Sequence, residues 1–463
     1  MKGLGSKKAR LGSKPARFFA VVLLSVTVVI GLTLAVGGCG STSPEGNTGP
    51  SSTSVSSEGV MLAASDLARV LPSSPRSNVL SAAKTFETFG ADLYQELAKQ
   101  AEGGNLVFSP ASIVTALVMT YAGAAGPTAE EMAATLHLDL QGEALHQAFN
   151  ALDQLLESRS WQGKDAEGKD VGVLVRTANS LWAQKDLPFT QAFLDTLAVN
   201  YGAGVRLVDY KTEAEKARRA INSWVAEQTE GKIPELIPEG ALDTLTRLVL
   251  VNAVYLDATW AYQFDKAFTA PGRFTTLAGN TVDTPMMRQS ASFPYAEGPS
   301  WKAVELPYLR EELSLLLVVP DSGKFAEIEQ QLAQGLISEA AAGLSAEREV
   351  DLTLPKFEFR TQAGLKEALE AMGMKTAFLP ESADFSAMTA AEKLFIDEVI
   401  HEAYIAVDEE GTEAAAATAV VMRGTAAPVE QITLVIDRPF LFALRDRDTG
   451  AILFLGRVVD PTA

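Results

Sequence analysis

Three histidines and one cysteine are the main chemical resources of this sequence: His137, His146, His401 and Cys39. No HExxH pair offers a zinc site, no second cysteine offers a partner, and no G-x-S-x-G turn carries a nucleophile in the region expected to fold. Residues 163–170, GKDAEGKD, space glycine and lysine like a phosphate loop. They end, however, on Asp170 where Ser or Thr would hold magnesium, and a carboxylate there repels phosphate. With no strand pattern before it, the stretch is expected to be a surface loop. Asp446 and Asp448 lack the further ligands of a calcium loop and fit a hairpin turn with Thr449 and Gly450. His401, within FIDEVIHEAYIAV, fits a strand as a hydrogen-bonded core residue better than it fits a ligand. The chemistry predicted is not that of an enzyme, and it requires neither metal nor cofactor.

Cys39 has a different use. The N-terminus MKGLGSKKARLGSKPAR is basic, and FFAVVLLSVTVVIGLTLAV is unbroken and apolar, which together have the form of an export signal. A permanent transmembrane anchor is the alternative, since the run approaches the ~20 residues that a span needs. VGGCG resembles the bacterial lipobox, which implies cleavage before Cys39 and acylation of its thiol. Removing residues 1–38, with six bases and no acid, takes the formal charge from −19 to −25. Such a surface repels nucleic acid and anionic headgroups. The expected organisation is a signal peptide over 1–38, a lipidated cysteine and flexible Ser/Gly/Pro-rich tether over 39–80, and one domain over 81–463. The product is expected at the cell surface or in the envelope, held to the membrane through Cys39. With its one thiol committed, the domain has no disulfide and depends on packing.

The elements that must position any site alternate along this domain. Phe86, Phe89, Leu93 and Leu97 recur at helical spacing, and Ser109 followed by Pro110 opens a second, deeply apolar helix. A third helix spans 213–229, its Lys216, Arg218 and Arg219 forming a solvated face. Strand patterns dominate RLVLVNAVYLDATW, WKAVELPYLREELSLLLVVP, EVDLTLPKFEFR and the closing ITLVIDRPFLFALRDRDTGAILFLGRVVDP. The class is α+β with large, mostly antiparallel sheets.

In order along the chain, NLVFSPASI, ANSLWAQKD, INSWVAEQTEGKIPELIP, LVLVNAVYLDATWAYQFD, VELPYLREELSLLLVVPD, LPKFEFR, DFSAM, IHEAYIAVDEEGTEAAAATAVV, RPFLFALRD and GAILFLGRVVDP all resemble the serpin family. The resemblance covers roughly residues 80 to 463 and implies the serpin fold: large sheets, a helical bundle and an exposed, insertable reactive-centre loop at about 409–430. It also implies an irreversible suicide-substrate inhibitor of serine proteases, which acylates at a bait bond and traps the enzyme when the cut loop enters the main sheet. A monomer is implied as well. Glu409, Glu410 and Gly411 match the hinge, and Thr412, Glu413, Ala414, Ala415, Ala416, Ala417 and Thr418 begin the insertable segment. Ser109, Ser112, Asn252 and His401 match the polar cluster beneath the sheet's opening point. Trp260 matches the tryptophan where the loop enters, and Lys324 with Glu409 an ion pair there.

Strand periodicity tests whether this loop can insert. Thr412, Ala414, Ala416, Thr418, Val420 and Met422 share one uncharged face, whereas Glu413 and Arg423 fall on the other. No proline interrupts 411–424. The hinges of non-inhibitory serpins, the alternative class of carriers and binding proteins, commonly carry bulky, charged or proline residues. The family's spacing from Gly411 puts the bait bond between Thr425 and Ala426, suited to elastase-like or subtilisin-like proteases. Cleavage after Arg423 by a trypsin-like enzyme is the rival.

Overall fold

The computed structural model describes residues 53–55, 59–166, 168–344, 346–412 and 431–463. Cys39, the signal segment, and the loop residues from Glu413 to Glu430, with Thr425, Ala426 and Arg423 among them, lie outside the described residues.

In chain order, β1 (Thr53–Val55) and β2 (Met61–Ala63) precede α1 (Arg76–Gln100), β3 (Leu106–Phe108), α2 (Pro110–Tyr121), α3 (Gly126–Thr135) and α4 (Gly142–Glu157). Then come β4 (Trp161–Lys164), β5 (Asp170–Gln184), α5 (Gln191–Tyr201), β6 (Val205–Val208), α6 (Tyr210–Gln228) and β7 (Leu248–Thr259). The middle of the chain forms β8 (Ala270–Thr275), β9 (Thr281–Gly298), β10 (Trp301–Pro307), β11 (Leu313–Pro320), α7 (Phe325–Gln330) and α8 (Leu336–Gly343). The rest supplies β12 (Ala346–Pro355), β13 (Phe357–Gly364), α9 (Lys366–Ala371), β14 (Glu398–Val407), β15 (Gly411–Thr412), β16 (Ile432–Val435), β17 (Phe440–Asp446) and β18 (Ile452–Val458).

Among the described residues two nine-stranded sheets result. The first runs β1-β2-β6-β5-β7-β15-β14-β13 with β4 beside β5, and the second runs β16-β12-β9-β10-β11-β17-β18-β3 with β8 beside β9. Pairing is antiparallel except at β5–β6, β7–β14 and β12–β16, in keeping with the mostly antiparallel expectation. Strands covered on both faces have near-continuous apolar sequences: every residue of β11 and β18 is buried, and all of β7 except Asp257. One large core lies behind the first sheet. A smaller cluster on the other face joins α6 and residues 233–242 to Val249, Val251 and Ala253 of β7 and to Ile400 of β14.

Local chemistry sets the ends. The Ser109 side chain accepts from the Ser112 amide at the start of α2, with Pro110 in the first turn, as predicted. The β17–β18 turn closes on buried Asp446, which accepts from the amide and hydroxyl of Thr449, while Gly450 takes φ +76°. The α6 bases are ion-paired, Lys216 to Glu213 and Arg218 to Glu215 and Glu235.

Two expectations need correction. The tether does not reach residue 80. Met61–Ala63 pair with β6, Arg69 donates to Asn150, Asp153 and Glu157 on α4, and α1 already starts at Arg76. The polar composition ends near Glu58, after which Val60, Met61 and Ala63 find apolar surface to cover. Residues 163–170 are not a plain loop either: Gly163 and Lys164 belong to β4, which forms a hairpin with β5, and Lys164 pairs with Asp170 across the turn. Among the described residues no helix is long and apolar enough to cross a membrane.

Candidate functional site

The seam between β7 and β14 is where the first sheet is incomplete. The two strands pair in parallel from Glu398–Val249 to Ala403–Val254, and there the ladder stops. Pairing across the seam resumes four residues further on, through β15: Thr412 opposes Val407 of β14 and Ala258 of β7, and Gly411 opposes Thr259. The predicted hinge is therefore already a two-residue wedge in the mouth of the seam.

Each hinge residue is fixed. Asp408 makes the turn, its side chain accepting from the amides of Glu410 and Gly411 at 2.8 and 3.3 Å. Gly411 has to be glycine, because a Cβ there would lie 2.0 Å from the Ala258 carbonyl oxygen. Thr412 is 1% exposed, and its hydroxyl lies 2.6 Å from the Tyr308 hydroxyl. Tyr308 stacks on Trp260 with ring centroids 4.4 Å apart. The Trp260 indole donates to the Asp408 carbonyl, and its amide to the Glu410 carbonyl.

Both hinge glutamates are buried and paired. Glu409 accepts from Lys356 at 2.7 Å and from the Thr269 hydroxyl at 2.8 Å. Burial alone would raise its pKa, but these hydrogen bonds hold the carboxyl below its usual value. Lys324, the partner expected from sequence, lies instead at the start of α7 and pairs with Glu327. That expectation is corrected: the lysine that reaches Glu409 is the one in LPKFEFR, carried between β12 and β13. Glu410 accepts from Lys169 at 3.1 Å and Lys266 at 2.5 Å.

Lower in the seam the structure brings Ser109, Ser112, Asn252 and His401 together and adds Asn179. Asn179, Asn252 and His401 stand directly opposite one another on β5, β7 and β14. His401 Nε2 accepts the Ser109 amide at 3.1 Å. A backbone N–H only donates, so the ring proton sits on Nδ1 and goes to Asn252 Oδ1. The Asn252 amide donates to Ser112 Oγ and to Asn179 Oδ1, each at 2.6 Å, and Ser112 Oγ donates to Asn179 Oδ1. Every member is satisfied, and any strand forced between β7 and β14 must break the His401–Asn252 bond.

Burial, above all, pushes the His401 pKa down to about 3, so the imidazole is neutral. An unfolded histidine titrates near pH 6.5. Between these values the unfolded chain takes up a proton that the closed seam refuses, so this stabilisation is complete above 6.5 and is lost as pH falls toward 3. Measured against His401→Gln by urea unfolding, the wild type is expected to lose about 2 kcal/mol of relative stability between pH 7 and pH 5. A pH-independent difference would mean that the native imidazole titrates normally.

Sequence reading missed Asn179, Tyr308, Lys356 and the two lysines on Glu410. Asn179, Tyr308 and Lys356 stand inside the motifs ANSLWAQKD, VELPYLREE and LPKFEFR, so only their roles were unread. Lys169 had no signal, since its partner lies 241 residues away.

A wedge at the top of a seam, over a satisfied polar cluster, defines a class of protein, and comparison with known proteins agrees. The family model "Serpin (serine protease inhibitor)" matches residues 84–461, and the chain belongs to the serpin family. It is 38% identical over 440 residues to an uncharacterized serpin-like protein of Thermococcus kodakarensis, across 94% of this chain and 99% of that relative. It is 36% and 35% identical to the leukocyte elastase inhibitors of Xenopus laevis and Homo sapiens, each across 82% of this chain and 99% of the relative. Among solved structures, the thermophilic serpin tengpin in its native state aligns with a TM-score of 0.71 at 27% identity, over 85% of this chain and 97% of tengpin. Serpin48 of the insect Tenebrio molitor aligns at 0.70 and 29%, over 82% and 98%. The two-sheet architecture is the serpin fold.

Proposed function

We propose that this serpin inhibits serine proteases irreversibly as a suicide substrate, with Thr425–Ala426 as its bait bond and elastase-like or subtilisin-like enzymes as targets. The protease serine attacks the Thr425 carbonyl, the serine proton passes to the departing Ala426 amine, and the ester carries Thr425 on the enzyme. Loop insertion then competes with water for that ester.

The observation that carries the reading is the register of the wedge. Prolonged along its present pairing, β15 would bring position 414 opposite Leu256 and Ile405, 416 opposite Val254 and Ala403, and 420 opposite Leu250 and Val399. Thr412 points into the core, so these even positions would point there too, and the sequence supplies Ala414, Ala416 and Val420. Position 418 would fall between Asn252 and His401, whose mutual hydrogen bond the strand must break. The residue there is Thr418, with a hydroxyl to replace it. An alanine run kept only for flexibility has no reason to carry its one inward hydroxyl at that rung. The exchange also favours insertion energetically. A short parallel ladder is replaced by two longer antiparallel ones, and at about 0.5–1.5 kcal/mol per net hydrogen bond a dozen positions contribute on the order of 10 kcal/mol.

The names of the vertebrate relatives support an elastase-like target, as does the small residue before the bond. Incubation of the monomeric protein with pancreatic elastase, subtilisin and trypsin is expected to give a denaturant-resistant complex with the first two, with a new terminus at Ala426. Cleavage there with no complex from any of them would move the protein to the non-inhibitory class.

We further propose that the chain is exported and held to the membrane by an acylated Cys39, the VGGCG sequence being the support. Mass spectrometry of the purified protein is expected to find an acyl mass on Cys39 and none on the Cys39→Ser variant, which accumulates as precursor or soluble product. An unmodified Cys39 in mature wild type would end that proposal.

A further inference from the structure

Glu410 is 1% exposed, yet it carries a carboxylate. A charge so placed is tolerated only when neutralised in good geometry. Two lysines from separate parts of the chain do this: Lys169 Nζ on Oε2 at 3.1 Å and Lys266 Nζ on Oε1 at 2.5 Å. Neither lysine hangs free. Lys169 ends the β4–β5 turn, where its amide donates to Asp165 Oδ1 at 2.9 Å and its carbonyl accepts the Asp165 amide. The hairpin is tied in turn to the end of β7, the Gly172 amide donating to Thr259 Oγ1. Lys266 opens a short 3-10 turn capped by Asp265, and its hydrogen bond to Glu410 raises the ammonium pKa. The sequence GKDAEGKD thus has a structural use unlike the phosphate binding that its spacing suggested.

We infer that Lys169 and Lys266 are positioning residues for the inhibitory reaction: by gripping Glu410 they keep Gly411 and Thr412 seated between β7 and β14, so that insertion extends an existing strand. The inference rests on the suicide-substrate reading above. The chemical logic is local. With one lysine removed, the Glu410 carboxylate is under-neutralised where water cannot reach it, and its relief is to swing outward. The Glu410 carbonyl is bonded to the Trp260 amide and the next two residues are the wedge, so that movement withdraws the wedge. Insertion then has to close the loop onto an unpaired seam before any rung rewards it, an entropic cost that the seated hinge has already met. The acyl-enzyme hydrolyses at a rate set by the protease, so slower insertion shows as more inhibitor consumed per enzyme trapped.

The test uses the full chain carrying Lys169→Met, Lys266→Met, both, or Lys169→Arg, with pancreatic elastase and subtilisin as probes. Each methionine variant is expected to slow trapping relative to ester hydrolysis by about tenfold, the effect of losing one charge-assisted hydrogen bond. Bait cleavage should proceed at the wild-type rate, and Lys169→Arg should restore wild-type stoichiometry. Amide hydrogen exchange at Gly411 and Thr412 should accelerate in the methionine variants while Asn252 and His401 exchange as in wild type, a pattern that general destabilisation would not give. If wild type traps protease and the methionine variants trap it with equal stoichiometry and unchanged hinge exchange, the positioning role is overturned and the inhibitory reading stands. If wild type traps neither protease, the inhibitory reading falls and the positioning role with it.

Discussion

Thr412→Arg is expected to convert the inhibitor into a substrate. Thr412 is buried in the seam, its hydroxyl on Tyr308 and its backbone paired to both neighbouring strands. Arginine cannot keep that seat, since it would carry a guanidinium into the buried site of Thr412, against the Trp260–Tyr308 stack. An unpaired buried charge costs several kcal/mol, and each 1.36 kcal/mol is tenfold in rate, so insertion should slow by on the order of a thousandfold. The proposed bait bond, thirteen residues further along the sequence, is untouched. The variant should therefore be cleaved at an undiminished rate, trap almost no protease, and lack the rise in thermal stability expected of cleaved wild type. Full covalent trapping by Thr412→Arg would show that inhibition does not depend on this residue entering the sheet.

Thr425→Arg should redirect the inhibitor rather than disable it. A trypsin-like primary pocket ends in a carboxylate that pairs with guanidinium out of bulk water, so the rate of trypsin trapping is expected to rise by on the order of a thousandfold while elastase trapping falls. Arg423→Ala should leave elastase inhibition largely intact. The two bonds differ mechanically as well as chemically. An enzyme acylated at Arg423 leaves an inserting strand two residues shorter, about 7 Å less travel at the spacing of an extended chain. If Arg423→Ala abolished every complex and Thr425→Arg changed nothing, the bait bond would lie two residues upstream.

The fold was legible wherever the sequence repeats a physical period. The helical spacing of Phe86, Phe89, Leu93 and Leu97, the Ser109–Pro110 cap and the turn at Asp446–Gly450 all stand as their local chemistry dictates. The site was legible in part: Glu409, Glu410, Gly411, Thr412, Trp260, Asn252 and His401 were named from their match to serpin motifs, and the structure sets them along one seam. Side-chain partnerships were another matter. Lys324 and Lys356 are both lysines next to strand ends, and only the crossing of β12 into β13 decides which ammonium reaches Glu409. Lys169 was invisible because a hairpin turn and a hinge 241 residues later share no local pattern. The tether boundary misled for a simpler reason: Met61–Ala63 is too short to show a period, and it becomes a strand through its pairing with β1 and β6.

The second sheet also bears on the order in which the molecule is assembled. Its β3, formed by Leu106–Phe108, pairs with Arg457–Leu455 of β18, and β17 lies between β11 and β18. The strand that joins the earliest rung of this sheet to the rest is thus among the last segments synthesised. A chain emerging N-terminus first can pack α1 on α4 and α2 on β5 and β7, but the faces of α1, α2 and β3 that meet β18 stay uncovered until the final hairpin arrives. Loop closure over some 350 residues places the fold at the slow end of the folding-rate scale. β14 and its hinge, at 398–412, emerge before β16, β17 and β18, so the strands on both sides of the seam are made before the second sheet is closed.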